Sequence, residues 1–239
     1  MNILITGGSK GIGAAVVKKL AADAGNKVYF TYANSAAAAK ELAAASNNIT
    51  ALHCDYTNTA SVDELVAKIP GLDLDILINN AYPVFYQQYF HKMEDADILN
   101  SFGVNVLPVI KITKAAIPGF RKKKGGRIIN VLSTFILNKP PTGLSDYTAN
   151  KNYLLSLSKS WATENARHRV TSNSISPSFM ETDFTSTTDT RIIDQMKEAH
   201  PLKALVTPDE VADAVLFFCH CSPHINGVNL PINAAEDLL

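Results

Sequence analysis

The opening of the chain restricts its fold more than any other stretch. Residues 2–6 carry the apolar run Ile3-Leu4-Ile5 and read as a buried strand. Gly7-Gly8-Ser9-Lys10-Gly11-Ile12-Gly13 follows at once, and an Ala-, Val- and Leu-rich helix then runs to about residue 24. Strand, glycine turn and helix in that order open a nucleotide-binding βαβ unit. The glycines allow a tight turn and let the backbone approach a pyrophosphate, while the helix N-terminus turns free N–H groups and a positive dipole end toward it. The spacing is Gly-x-x-x-Gly-x-Gly rather than the Gly-x-Gly-x-x-Gly of the dinucleotide fingerprint, and no Walker Gly-Lys-Ser/Thr sequence occurs.

The alternation continues. Strands are read at residues 27–32, 49–54, 73–78, 127–132, 169–175 and 228–232. Helices fall between them, among them residues 35–46, one carrying Asn105 toward Phe120, one holding Tyr147, and one begun by Thr207-Pro208-Asp209-Glu210. The last has a good cap, a proline in the first turn and early acids. Residues 178–203 are polar and read as a mobile lid over the strand ends, with a short helix at 192–199. Without repeats or linkers, residues 1–239 form a single doubly wound α/β domain, a Rossmann fold with a mostly parallel central sheet.

Lysine plus arginine and aspartate plus glutamate each number 22, so the formal net charge is zero and no binding to nucleic acid or anionic membrane is expected. No apolar run approaches the ~18 residues of a membrane span or makes a signal peptide, so a soluble, cytoplasmic protein is expected. Cys54, Cys219 and Cys221 give no disulfide framework. Cys219-His220-Cys221 has no second ligand pair, and no metal is expected.

Several strand ends carry chemistry. The second is followed by Tyr32-Ala33-Asn34-Ser35, with no acid to hold an adenosine ribose. With Lys10 in the glycine turn, this favours NADP(H) over NAD(H). Asp55, after the third strand, either meets an adenine amino group or caps the next helix. Residues 82–90 hold five aromatics, Tyr82, Phe85, Tyr86, Tyr89 and Phe90, which either pack a loop or form one wall of an apolar substrate cleft. The basic run from Arg121 to Lys124 suits a helix C-terminus or an acidic partner. Finally, Tyr147-Thr148-Ala149-Asn150-Lys151 puts a phenol and an ammonium one turn apart on one helix face. A free Tyr titrates near ~10, and lowering it by ~2–3 units takes roughly 3–4 kcal/mol. That requires a close Lys assisted by a cationic cofactor ring.

Thr6-Gly7-x-x-x-Gly11-x-Gly13, Asn79-Asn80-Ala81, Asn105-Val106, Ser133 and Tyr147-x-x-x-Lys151 occur in one order. Together they make the chain resemble the short-chain dehydrogenase/reductase family over essentially its whole length. Within that family it looks most like the 3-oxoacyl-carrier-protein reductases. The resemblance implies that Tyr147 gives a proton to a carbonyl oxygen as hydride arrives from nicotinamide. Lys151 then lowers the Tyr147 pKa and holds the nicotinamide ribose, Ser133 bonds the substrate oxygen, and Asn105 holds a water in a proton relay. The expected cofactor contacts are Thr6, Gly7, Ser9, Lys10, Gly11, Ile12, Gly13, Asn34, Ser35, Asp55, Tyr56, Asn79, Ala81, Tyr147, Lys151, Pro177 and Thr182. The implied activity is NADPH-dependent reduction of a 3-oxoacyl thioester, borne by an acyl carrier protein. The alternative is an NAD(P)-dependent dehydrogenase or reductase of a free small alcohol, sugar or polyol. A non-catalytic dinucleotide sensor is disfavoured because all four catalytic positions are intact. A homotetramer is implied, or else a dimer. The chain departs from the family pattern at Tyr82 and Ser178, both usually glycine, and at Ala234-Ala235.

Overall fold

The computed structural model describes residues 1–181 and 189–236. Its seven strands are β1 (Asn2–Ile5), β2 (Lys27–Tyr32), β3 (Ile49–His53), β4 (Ile76–Asn79), β5 (Gly126–Val131), β6 (Val170–Pro177) and β7 (Asn229–Ile232). They form one sheet in the order β3-β2-β1-β4-β5-β6-β7, with every neighbouring pair parallel. The helices among the described residues are α1 (Gly11–Ala21), α2 (Ala36–Ala44), α3 (Thr59–Leu72), α4 (Asp95–Asn105), α5 (Leu107–Lys123), α6 (Ser145–Asn165), α7 (Thr190–Ala199) and α8 (Pro208–His220). This is the doubly wound Rossmann-type α/β architecture expected from the sequence.

The apolar runs explain the layering. Parallel strands covered on both faces read as continuous hydrophobic stretches, and successive side chains alternate between faces. Ile3, Ile5, Ile76, Ile78 and Ile129 enter one core with α1, α2 and α8. Leu4, Leu77 and Ile128 enter the other with α3, α5 and α6. The chain steps outward from β1 to β3, then returns to β4 on the other side of β1. The crevice at the carboxyl ends of β1 and β4 is therefore the switch point where ligands bind in such sheets. The far edge is β7, which carries Pro231.

The structure corrects two local expectations. The helix carrying Asn105 is two helices that meet at Val106, and Asn105 is the last residue of α4. Pro108 lies in the first turn of α5, and its missing N–H prevents a continuous helical ladder there. The residue that caps α3 is Asn58, whose Oδ1 accepts from the Ala60 and Ser61 N–H groups. Asp55 closes the preceding turn instead, accepting from Thr57 N at 2.9 Å and Thr57 Oγ1 at 2.7 Å. The cap expected at the start of α8 is present, and Thr207 forms it as a capping box with Glu210. Part of the basic run is used internally: Lys123 pairs with Asp73 and Asp75, and Arg121 Nε donates to Asn165 Oδ1.

A buried polar ladder ties the second layer to the sheet. Asn79 Nδ2 donates to Thr113 Oγ1 at 3.1 Å and Asn130 Oδ1 at 2.9 Å. Asn130 Nδ2 donates to Ser158 Oγ at 3.0 Å, and Ser158 also bonds Ser172 and Ser174. Helices α5 and α6 are thus registered on β4, β5 and β6 by directional bonds as well as by apolar packing. Truncating Asn130 strands several buried partners at once. Asn130→Ala should lower unfolding free energy by about 2–3 kcal/mol, read as a fall in the urea midpoint at unchanged slope.

Candidate active site

The glycine turn is built by close approach. Gly7 and Gly11 have φ of +67° and +51°, where a side chain is strained. A Cβ on Gly13 would stand 2.2 Å from the Gly7 carbonyl oxygen. Asn80 pins this turn from β4: its Nδ2 donates to the Thr6 and Gly7 carbonyl oxygens at 2.9 and 3.0 Å. Thr6 Oγ1 in turn accepts from the Asn80 and Ala81 N–H groups. No side chain caps the first turn of α1, so its N–H groups are available for an anion.

The turn opens into a cleft of about 860 Å³. Gly7, Lys10, Gly11 and Ile12 line one part of it, with Thr31, Tyr32 and Ala33 at the end of β2 and Cys54 and Tyr56 just beyond β3. Asn80, Ala81 and Tyr82 lead to Ser133, Tyr147 and Lys151 at the ends of β5 and on α6. Phe85, Phe135, Phe179, Met180 and the α7 residues Ile192 and Met196 add an apolar wall. The residues fit a dinucleotide: glycine turn, uncapped helix end and extended cleft are continuous. Lys10 in the glycine turn and Tyr32 and Ala33 around the end of β2 line the same cleft.

The structure brings Gly7, Lys10, Gly11, Ile12, Tyr56, Ala81, Ser133, Tyr147, Lys151 and Pro177 to this one cleft. Ser9, Gly13, Asn34, Ser35 and Asp55 adjoin it without lining it. Thr6 and Asn79 lie underneath, the first bonded to the β4 end and the second to Thr113 and Asn130. Asn105 also lies behind the wall. Its Oδ1 accepts from Val84 N at 3.2 Å, and its Nδ2 donates to Val84 O at 2.8 Å and Ser101 Oγ at 3.1 Å. Val84 is in irregular backbone, whose buried polar groups need partners, and the Asn105 amide supplies both. Thr182 lies outside the described residues.

Two contributors to the cleft carried no motif in the sequence: the Thr31 hydroxyl, which accepts from Gly7 N at 2.9 Å, and the apolar residues after β6. The departure at Ser178 was a signal: Ser178 lines the cleft, and its buried hydroxyl has no hydrogen-bond partner among the described residues. The aromatic stretch divides. Tyr82 and Phe85 line the cleft, Phe85 with its ring partly exposed, while Tyr89 and Phe90 are more exposed beside it.

Electrostatics in the protein alone follow burial. Burial pushes the Tyr147 phenol up to about 12, and its hydrogen-bonding neighbour Ser133 pulls the other way. Burial also lowers Lys151 to about 7. Its Nζ donates to the Val131 carbonyl oxygen at 2.8 Å. The phenol is held in its acid form at neutral pH, next to a hydroxyl suited to the same substrate oxygen. This arrangement can protonate an oxygen on which negative charge develops.

The profile of the family described as short chain dehydrogenase matches residues 1–192. The chain belongs to that family. This short-chain dehydrogenase is similar to the 3-oxoacyl-acyl-carrier-protein reductase FabG of Aquifex aeolicus, at 31% identity over 96% of this chain and 94% of that one. Among solved structures it is similar to a short chain dehydrogenase from Burkholderia cenocepacia in complex with NADP, at TM-score 0.85 and 29% identity over 98% and 97% of the two chains. It is also similar to a 3-ketoacyl-(acyl-carrier-protein) reductase from Brucella melitensis complexed with NADH, at TM-score 0.87 and 28% identity over 99% and 98%. The protein is an NAD(P)-dependent short-chain oxidoreductase acting between CH–OH and C=O groups. Among the described residues, no helix is long and apolar enough to cross a membrane, and no cluster of side chains is set to hold a metal.

The buried lysine has a measurable stability signature. Lys151 binds its proton more weakly when folded (about 7) than when unfolded (10.5). Between those values the unfolded chain holds more protons, so this group makes folding stability rise with pH. Lys151→Met removes the group. In urea unfolding without cofactor, the variant's stability advantage over the native chain should be larger at pH 7 than at pH 10, while turnover is lost.

Proposed function

We propose that this short-chain dehydrogenase uses NADPH to reduce a 3-oxoacyl thioester, delivered by an acyl carrier protein, to the 3-hydroxyacyl product. The observation that carries the reading is the pairing of the Tyr147 phenol with the Ser133 hydroxyl at one end of a cleft that begins at the glycine turn. Bound there, the dinucleotide supplies the hydride. Ser133 orients the ketone oxygen, and Tyr147 gives it a proton as charge develops. A phenol raised by burial stays loaded as an acid at neutral pH. Lys151 lies on the same helix face as Tyr147, and its role in this reading is to hold ribose hydroxyls. In the reverse direction Tyr147 would instead take up the proton, and positive charge close to the phenol would favour the phenolate that this requires.

The apolar wall supports an acyl chain over a free sugar or polyol. Phe85 and Phe135 stand edge-on to Tyr147, at ring-centroid distances of 5.4 and 6.3 Å. Met180, Ile192 and Met196 continue that surface. Such a wall leaves a polyol with fewer partners than hydroxyls, although Gln87, Thr142, Ser178 and Asp189 also line the cleft. It suits unsaturated or aromatic chains, whose flat faces stack on rings. The absence of an acid after β2, together with Lys10, supports NADPH over NADH.

The direct test is cofactor oxidation with a short 3-oxoacyl thioester. NADPH should support turnover and NADH much less, and carrier-bound substrate should outpace a free small ketone. Equal rates on free ketone and thioester would remove the acyl reading. Tyr147→Phe should lower kcat by about 10²–10⁴-fold while fluorescence titration shows NADPH affinity retained. Unchanged turnover would take Tyr147 out of the acid role.

A further inference from the structure

Tyr82 has no role in the reading above, yet it is held more firmly than a loop side chain needs to be. It follows Asn80-Ala81, the segment pinned to Thr6 and Gly7. Its ring stands edge-on to Tyr147, with centroids 5.0 Å apart. Its hydroxyl lies 3.5 Å from Asn150 Nδ2. Asn150 Nδ2 also donates to Ser101 Oγ at 2.9 Å, and Ser101 donates to the buried Asp146 carboxylate. This network of α4 and α6 residues ends on one phenol.

That ring bears on Lys151. The lysine is 5% exposed, so water compensates little of its charge. An ammonium has three N–H groups, and its hydrogen-bond partner among the described residues is the Val131 carbonyl oxygen. Nζ also lies over the Tyr82 ring, 4.7 Å from the centroid, and over the Tyr147 ring at 5.7 Å. Both are within the ~6 Å at which a cation is attracted to an aromatic face. The glycine that the family resemblance leads one to expect at this position would bring no ring.

We infer that Tyr82 is a positioning residue that holds the Lys151 ammonium at the cleft through the face of its ring, with its hydroxyl anchored by Asn150. The inference rests on the reading that Lys151 serves the reducing site, but its test needs neither substrate nor cofactor. The groups facing Lys151 are few: Tyr147 on its own helix, Tyr82 from the segment after β4, and Val131 at the end of β5. No carboxylate among the described residues offsets the effect of its burial. The ring face is therefore the main support for its positive charge beyond the single carbonyl. Its removal shifts the lysine toward the neutral form.

The experiment is an NMR titration of the cofactor-free protein carrying lysine labelled with ¹³C at Cε, with the Lys151 signal identified by its loss in Lys151→Met. Tyr82→Phe keeps the ring and should leave the titration midpoint within about 0.3 pH unit of the native one. Tyr82→Leu keeps apolar bulk but removes the ring face, and should lower the midpoint by about one pH unit. Phenylalanines with increasing fluorination at position 82 keep the shape and drain the ring of charge, and should lower it stepwise. This series decides the matter if the Leu variant does not fold. An unchanged midpoint across the fluorinated series overturns the inference, as does a fall in Tyr82→Phe as large as that in Tyr82→Leu.

Discussion

The site depends on the few bonds that tie the end of β1 to the end of β4. Thr6 accepts two N–H bonds from Asn80 and Ala81, and the Asn80 amide returns two bonds to the carbonyls of Thr6 and Gly7. These bonds are part-buried, and leaving a partner unpaired there is costly. They hold the glycine turn open at the switch point and fix where the chain leaves β4. Ala81 and Tyr82 are thereby delivered to the cleft, and Val84 reaches the amide of Asn105. Both ends of the cleft are set from one junction.

Burial then decides the chemistry. Tyr147, Ser133 and Lys151 stand where the second core meets the cleft, and each is at least nine-tenths shielded from solvent. Low polarity moves the two titratable groups in opposite directions: it favours the neutral phenol and disfavours the ammonium. A neutral phenol is the useful form for giving up a proton. An ammonium that is costly to keep charged responds readily to whatever faces it. The site is therefore tuned by its walls as much as by its named groups, and those walls are aromatic.

Much of this was legible in the sequence because its signals were periodic or local. Apolar runs rich in β-branched residues, such as Ile3-Leu4-Ile5 and Ile76-Leu77-Ile78, suit strands buried on both faces, and their alternation with helices points to a parallel sheet. The Tyr147 and Lys151 spacing placed both on one helix face, and Ser133 at a strand end met them there. What was not legible depended on partners distant in sequence. Nothing local to Asn105 says that its amide will be taken by Val84, 21 residues earlier. Nor does the sequence near Asp55 show that Asn58, three residues on, makes the better cap. Asn79 and Asn80 look alike as letters, but strand alternation sends Asn79 into the polar ladder under the sheet and Asn80 to the glycine turn. The aromatics of residues 82–90 gave composition without direction, and only the fold separates Tyr82 and Phe85 from the more exposed pair.

The last strand has a consequence of its own. The carbonyls of Val228, just before β7, and of Ile232 accept from the Ser174 and Ser178 N–H groups, so the even-numbered residues turn toward β6 and Pro231 turns to the outer margin. A proline there offers no N–H to an incoming strand. A further chain laid along this margin would find its hydrogen-bonding row interrupted at the centre. This guards against runaway sheet extension, a standing hazard for any open sheet. A copy of the protein meeting this margin would find one backbone donor fewer for lengthening the sheet.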